Sequence, residues 1–264
     1  MATDRTSILE LALLASGCAA IGVLLDGLPL WLAGIALALL VAWGTFTILA
    51  RHEPRGVPVE ALAPPAVGAV GALGVAHLAG PGLLTVPALA VGAAAMALAV
   101  SLEVRTIGPA DVIPDRRRDQ HALASLVLAF LAFAGIAAAV PGGLVQGATQ
   151  APLDGRALLL LVVADAIVAF ALGYRLSALR VTSMRSAAVA GGTFAVVVAI
   201  AAAAVRALAL PRLIGPALLA AVFALWAAYR AAPGSERRTA SWLWEYGVLA
   251  LAAAATVAWN LLVR

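Results

Sequence analysis

Apolar residues run along this chain in long unbroken blocks, and polar residues are confined to the gaps between them. About nine blocks approach the roughly 20 residues that a helix needs to cross a hydrocarbon layer about 30 Å thick. They cover 8–25, 30–50, 62–80, 83–102, 122–140, 157–174, 187–210, 213–230 and 242–262. None shows the alternation of a lipid-facing barrel strand, and hydrocarbon leaves the backbone only helices or closed barrels as spanning forms. The pattern therefore predicts an all-α, polytopic transmembrane helical bundle of about nine spans. The block 62–80 is the weakest: it opens on Pro64-Pro65 and carries Gly68, Gly71, Gly74 and His77, the marks of a broken or tilted helix.

Composition removes the soluble alternative. Of 264 residues, 64% are hydrophobic and 11% charged, and the mean hydropathy is +1.05, against about 45–50% apolar and about 25% charged in a soluble domain. There is too little polar surface to coat a globule in water. The longest hydrophilic segment, Glu103 to His121, is too short to bury a core of its own, so residues 1–264 read as one integral-membrane domain.

The gaps alternate between short turns and longer charged segments. Asp26-Gly27-Leu28-Pro29, Gly80-Pro81-Gly82, Pro141-Gly142-Gly143 and Leu210-Pro211-Arg212 are turn-like. The other gaps hold Arg51 and Arg55; Arg105, Arg116, Arg117 and Arg118; Arg175, Arg180 and Arg185; and Arg230, Arg237 and Arg238. Arg5 falls on that same side, leaving Arg156, Arg206, Arg212 and Arg264 opposite. Basic loops are retained in the cytoplasm, so the N-terminus is expected inside and the chain in the plasma membrane. Trp226, Tyr229, Trp242, Trp244 and Tyr246 gather at the same expected interface, and Trp31 and Trp259 near the other. Ala171-Leu172-Gly173-Tyr174-Arg175 and Trp226-Ala227-Ala228-Tyr229-Arg230 end two spans alike, which interfacial anchoring explains without a duplication.

The net charge of +4 belongs to this topology rather than to nucleic-acid binding, since its bases are arginines set between apolar blocks. The absence of lysine excludes Schiff-base chemistry, a phosphate-loop lysine and a Ser–Lys dyad. Cys18 is the single cysteine and can form neither an internal disulfide nor a multi-cysteine metal site. Ala15-Ser16-Gly17-Cys18 resembles a lipoprotein signal, but apolar sequence continues through Leu25 to the length of a full span. Nothing in the sequence calls for a cofactor or a metal.

Candidate chemistry starts at Asp165, about 13 Å from either end of its block. A carboxylate at a helix centre costs roughly 2.5–3.5 kcal/mol on insertion, so it must face the bundle and find a partner. His77 and Arg206, with Asp26 at a similar height, are expected near the outer end and are the candidates to converge on Asp165, as a proton or substrate path. Taken singly, Arg206 can snorkel outward, Asp26 can cap a turn and His77 can be structural. Arg105, Arg116, Arg117 and Arg118 are read as a loop for anionic lipid headgroups or a protein partner. Asp111, Asp115 and Asp119 among them resemble part of the acidic motif of CDP-alcohol phosphatidyltransferases. The upstream Asp-Gly and Ala-Arg of that motif are missing from Ala93 to Val100, and Pro114 interrupts the run. Glu10 and Glu245 read as interfacial, and the Gly68, Gly71 and Gly74 series as close helix packing.

Three functions fit these features: first a permease-like protein with a polar path at Asp165, alternatively a structural or assembly subunit, and third a lipid-modifying enzyme using the 111–119 loop. The expected partners are the bilayer with its anionic headgroups, other membrane subunits or a second copy. The topology has a direct check. Single cysteines placed between residues 105 and 118, in a Cys18→Ser background, should resist an impermeant thiol reagent in sealed cells and react after lysis; labelling in intact cells reverses the orientation.

Overall fold

The computed structural model describes residues 2–53, 56–107, 114–144, 153–181, 183–208, 210, 213–232, 244, 247–248 and 255. It is 84% helix, and the described residues contain no strand. Among the described residues eight α-helices follow in order: α1 Ala2–Ala20, α2 Leu28–Leu49, α3 Ala63–Ala79, α4 Thr85–Thr106, α5 Asp115–Ala138, α6 Gly155–Ala178, α7 Met184–Ala207 and α8 Ile214–Ala231. Short 3₁₀ turns, Ile21–Leu24 and Val59–Leu62, extend α1 and lead into α3. All eight helical segments are long and apolar enough to cross a membrane, so the chain is a polytopic membrane protein. The ninth block, 242–262, lies almost wholly outside the described residues.

Several helices open on proline without a break. Pro29, Pro64 and Pro65, Pro87 and Pro216 all fall in first turns, where the backbone N–H that proline lacks has no intrahelical partner to lose. This is why α3, expected to be broken or tilted, is one uninterrupted helix. The apolar blocks 83–102 and 122–140 stop at Glu103 and His121, and the helices built on them, α4 and α5, extend into the hydrophilic segment. As a result Glu103 and His121 are helical and buried rather than part of a solvated loop.

Helices α3 and α5 occupy the centre. α3 contacts α1, α2, α4, α5 and α6, and α5 contacts α3, α4, α6 and α8. One core, built on Leu128, Phe133, Leu172, Phe194 and Phe223, joins α5 to α8. A second, with Leu30, Val41, Leu73 and Met96, joins α1 to α4. Outward-facing residues such as Leu13, Leu39, Trp43, Leu159 and Ile200 are exposed, as expected where lipid rather than water covers the surface. Trp226 departs from the interfacial-anchor reading in part: its indole Nε1 donates to Thr193 Oγ1 at 3.0 Å, tying α8 to α7.

The two cores meet where α3 crosses α5, and the glycines there have a steric cause. A Cβ on Gly71 would lie 3.0 Å from Leu131 Cβ, and one on Gly74 would collide with the Gly135 backbone. Lipid tails are as apolar as leucine, so contact between spans comes largely from such close backbone approach. Gly74→Val should therefore cost roughly 1–3 kcal/mol, read as a lower midpoint of thermal unfolding in detergent. Gly192→Ala, where nothing lies within 4 Å, should leave that midpoint unchanged or slightly raised.

Candidate functional site

Among the described residues two clusters of buried charge lie inside the bundle, and helix α6 contributes to both. Asp165 and Arg175 stand ten residues apart, about 15 Å along the axis and rotated by roughly 80°. One therefore addresses α5 and α7, and the other α4 and the segment before α3.

Asp165 is fully buried and Arg206 nearly so. Arg206 Nη2 donates to Asp165 Oδ2 at 3.0 Å and Nε donates to the same oxygen at 3.3 Å. Nη2 also reaches Asp165 Oδ1 at 3.3 Å and the Phe133 carbonyl of α5 at 3.1 Å. Side chains on a helix lean toward its N-terminus. In an antiparallel hairpin such as α6 and α7, a carboxylate well inside one helix and a guanidinium at the end of the other lean toward each other. Arg206 therefore closes the site from within instead of snorkelling out.

The second cluster gathers at the arginine-rich end. Arg175 Nε donates to Glu103 Oε1 at 3.0 Å, and Nη2 donates to Oε2, a two-point match of fork to carboxylate. Glu103 is fully buried, and Glu60 stands 4.0 Å from Arg175 Nη1. His121 completes the group. The Thr106 hydroxyl gives its hydrogen to the Leu102 carbonyl at 2.7 Å, so at the 2.8 Å contact with His121 Nε2 it accepts. That assigns the proton to Nε2 and leaves Nδ1 facing Glu103 Oε1 at 3.7 Å. A second proton on this imidazole would sit on Nδ1, against the carboxylate.

Of the residues expected to converge, Arg206 meets Asp165, whereas the contacts of His77 lie elsewhere. His77 Nδ1 is 3.0 Å from the Gly22 carbonyl and its Nε2 is 3.8 Å from Asp26 Oδ1. It fastens α3 to the end of α1, because a histidine late in α3 faces the turn where α1 stops. Arg105, Arg116 and Arg117 are exposed; Arg117 Nη1 donates to the Arg105 carbonyl at 2.6 Å and Arg118 Nη1 to Asp115 Oδ1 at 3.1 Å. Asp111 lies outside the described residues, and Asp119 is exposed.

The sequence does not mark Glu103 and Arg175 as a site because each stands one residue past the end of an apolar block, where it reads as a loop charge. The available signal was their place: each lies within or beside an apolar block, where an unpaired charge is too costly to keep. No protein-family model, curated protein or solved structure matches this chain, so the site rests on its own geometry.

Removing one member of a buried pair strands the other, at roughly 3–5 kcal/mol, whereas replacing both with apolar residues is often neutral or stabilising. Arg206→Leu should sharply lower the thermal midpoint and yield in detergent, and Asp165→Leu with Arg206→Leu should recover most of that loss. A double variant no better than the single would show that the two residues are not coupled.

Proposed function

We propose that this polytopic membrane protein is permease-like, with Asp165–Arg206 near the middle of α6 and Glu103–Arg175 at its C-terminal end acting as charge latches. One observation carries the reading: a single helix bears both buried charges, and each is neutralised from a different helix. Charges neutralised in hydrocarbon part only if water or a substrate replaces the partner. Each pair is thereby a two-state element, closed when dry and open when wet, and a rocking of α6 against its neighbours exchanges which one is open. Between α2, α3, α5 and α6 lies an apolar groove of about 470 Å³, lined by Trp31, Leu39, Val70, Ile136, Val163 and Ile167 among others and open on its lipid-facing side, where Leu39 and Ile167 are exposed. The same proposal sets the arginine-rich end on the cytoplasmic side of the plasma membrane, with Arg105, Arg116, Arg117 and Arg118 against anionic headgroups.

A second reading, a structural or assembly subunit, is favoured by the complete burial of Asp165 and by the further bond of Arg206 to the Phe133 carbonyl. In that case the pairs are static staples.

Water access separates the two. In a Cys18→Ser background, Ala202→Cys lies one helical turn from Arg206, and Ala99→Cys lies one helical turn from Glu103. With latches, an impermeant thiol reagent applied from the side of each cluster labels each site, and Asp165→Asn speeds labelling of the Ala202 position by tenfold or more. If both sites stay unlabelled from either side of sealed vesicles, the latches do not open and the structural reading replaces the permease.

A further inference from the structure

At the arginine-rich end, α5, the end of α6, α7 and α8 leave a wedge of about 680 Å³ that belongs to neither buried cluster. Its walls are apolar, with Leu126, Leu176, Phe194 and Ala224 in its depth. Its rim is charged, with Arg180 from the α6–α7 turn, Arg230 from the end of α8 and Asp119 from α5. Seven residues separate Asp119 from Leu126 and six separate Ala224 from Arg230, so rim and depth are about 10 Å apart. The volume lies within the range of small-molecule sites, about 300–1,000 Å³.

Among the described residues the rim carries two guanidinium groups, Arg180 and Arg230, and one carboxylate, Asp119. Partial burial lowers the pKa of Arg180 from its ordinary value, and the neighbouring Arg118 guanidinium lowers it further, while Asp119 and Asp115 oppose this. The Asp115 carboxylate is already engaged by Arg118. Ser177, below the rim, spends its hydroxyl hydrogen on the Gly173 carbonyl. A cationic ligand would meet two guanidinium groups there, and a small soluble anion would leave the apolar walls uncovered. A molecule with an anionic head and an apolar body uses both parts.

We propose that this wedge binds a phosphate ester carried by a membrane lipid, an anionic glycerophospholipid whose phosphate sits between Arg180 and Arg230 and whose chain lies along Leu126, Phe194 and Ala224. Two arginines on different helices hold the phosphate by charge-assisted hydrogen bonds. The chain then fills space that α6, α7 and α8 leave open, so the bound lipid joins three helices. Asp119 at the same rim disfavours a headgroup carrying a second negative charge and selects for a single phosphodiester.

The test uses the full chain in neutral detergent, with lipid retention followed by native mass spectrometry and thermal unfolding. Phosphatidylglycerol and phosphatidylcholine of identical chains are titrated separately, with inorganic phosphate as a third arm. The expected result is at least tenfold tighter retention of phosphatidylglycerol, with about fivefold lost in each of Arg180→Gln and Arg230→Gln, near the contribution of one arginine to binding an anionic surface. Ala227→Phe, which narrows the wedge, should weaken retention with the charges intact. Arg5→Gln with Arg51→Gln, both exposed on the arginine-rich side and outside the wedge, serves as the surface-charge control and should leave retention unchanged. Equal retention of the two lipids overturns the proposal, as does a loss in the control matching that at the rim, which would mark a diffuse surface effect. Inorganic phosphate raising the midpoint as much as phosphatidylglycerol also overturns it, in favour of a soluble-phosphate site.

Discussion

A charge in hydrocarbon must have a partner, and the interior of this bundle is arranged around that requirement. Asp165 and Arg175 are both on α6, and neither could be there without Arg206 and Glu103. The cost of an unpaired buried ion is several kcal/mol, larger than any single apolar contact contributes, so the positions of α4, α5 and α7 around α6 are fixed by whatever brings the partners within hydrogen-bond reach. Those helices are then not free to slide independently. The alignment of α7 with α6 follows from where Arg206 must sit, and the approach of α4 from where Glu103 must.

Close packing works with this constraint. In water, apolar faces are driven together; in lipid they are not, and the bundle depends on how nearly its backbones can approach. The α3–α5 crossing at Gly71, Gly74 and Gly135 supplies that approach at the centre, and Gly173 lets Phe194 lie against α6. The Phe194 ring then packs on Phe223 at 5.2 Å, linking the α6–α7 hairpin to α8. Small residues set the distances and ion pairs set the registers. The lipid-facing side chains outside, Leu39 or Ile200 for example, have no comparable demand on them beyond being apolar.

The two ends of the bundle differ in kind. At one end His77 reaches across to Gly22 and Asp26, and Arg206, paired with Asp165, also donates to the Phe133 carbonyl. At the other, guanidinium groups are spread over the surface, with the buried Glu103 cluster beneath them and the wedge rimmed by Arg180 and Arg230 beside it. A charged exterior next to an apolar recess is the arrangement that an amphipathic molecule matches, whereas Arg206 and Asp165 pair inside the bundle.

The sequence by itself determined that lipid is the solvent, that the spanning elements are helices and where most of them lie. Those properties are sums over some twenty residues, and 64% hydrophobic content leaves no competing solution. It also marked Asp165, because a lone carboxylate in an apolar block is conspicuous wherever it points. What it could not assign was partnership. Arg206 and His77 stood at similar heights, yet one meets Asp165 and the other meets Gly22 and Asp26. Arg175 counted as one more loop arginine although it is buried against Glu103. Tertiary structure decided these matters, because a partner is chosen by which face of each helix turns inward and by how far two helices are shifted along each other, and neither quantity is a property of a single helix.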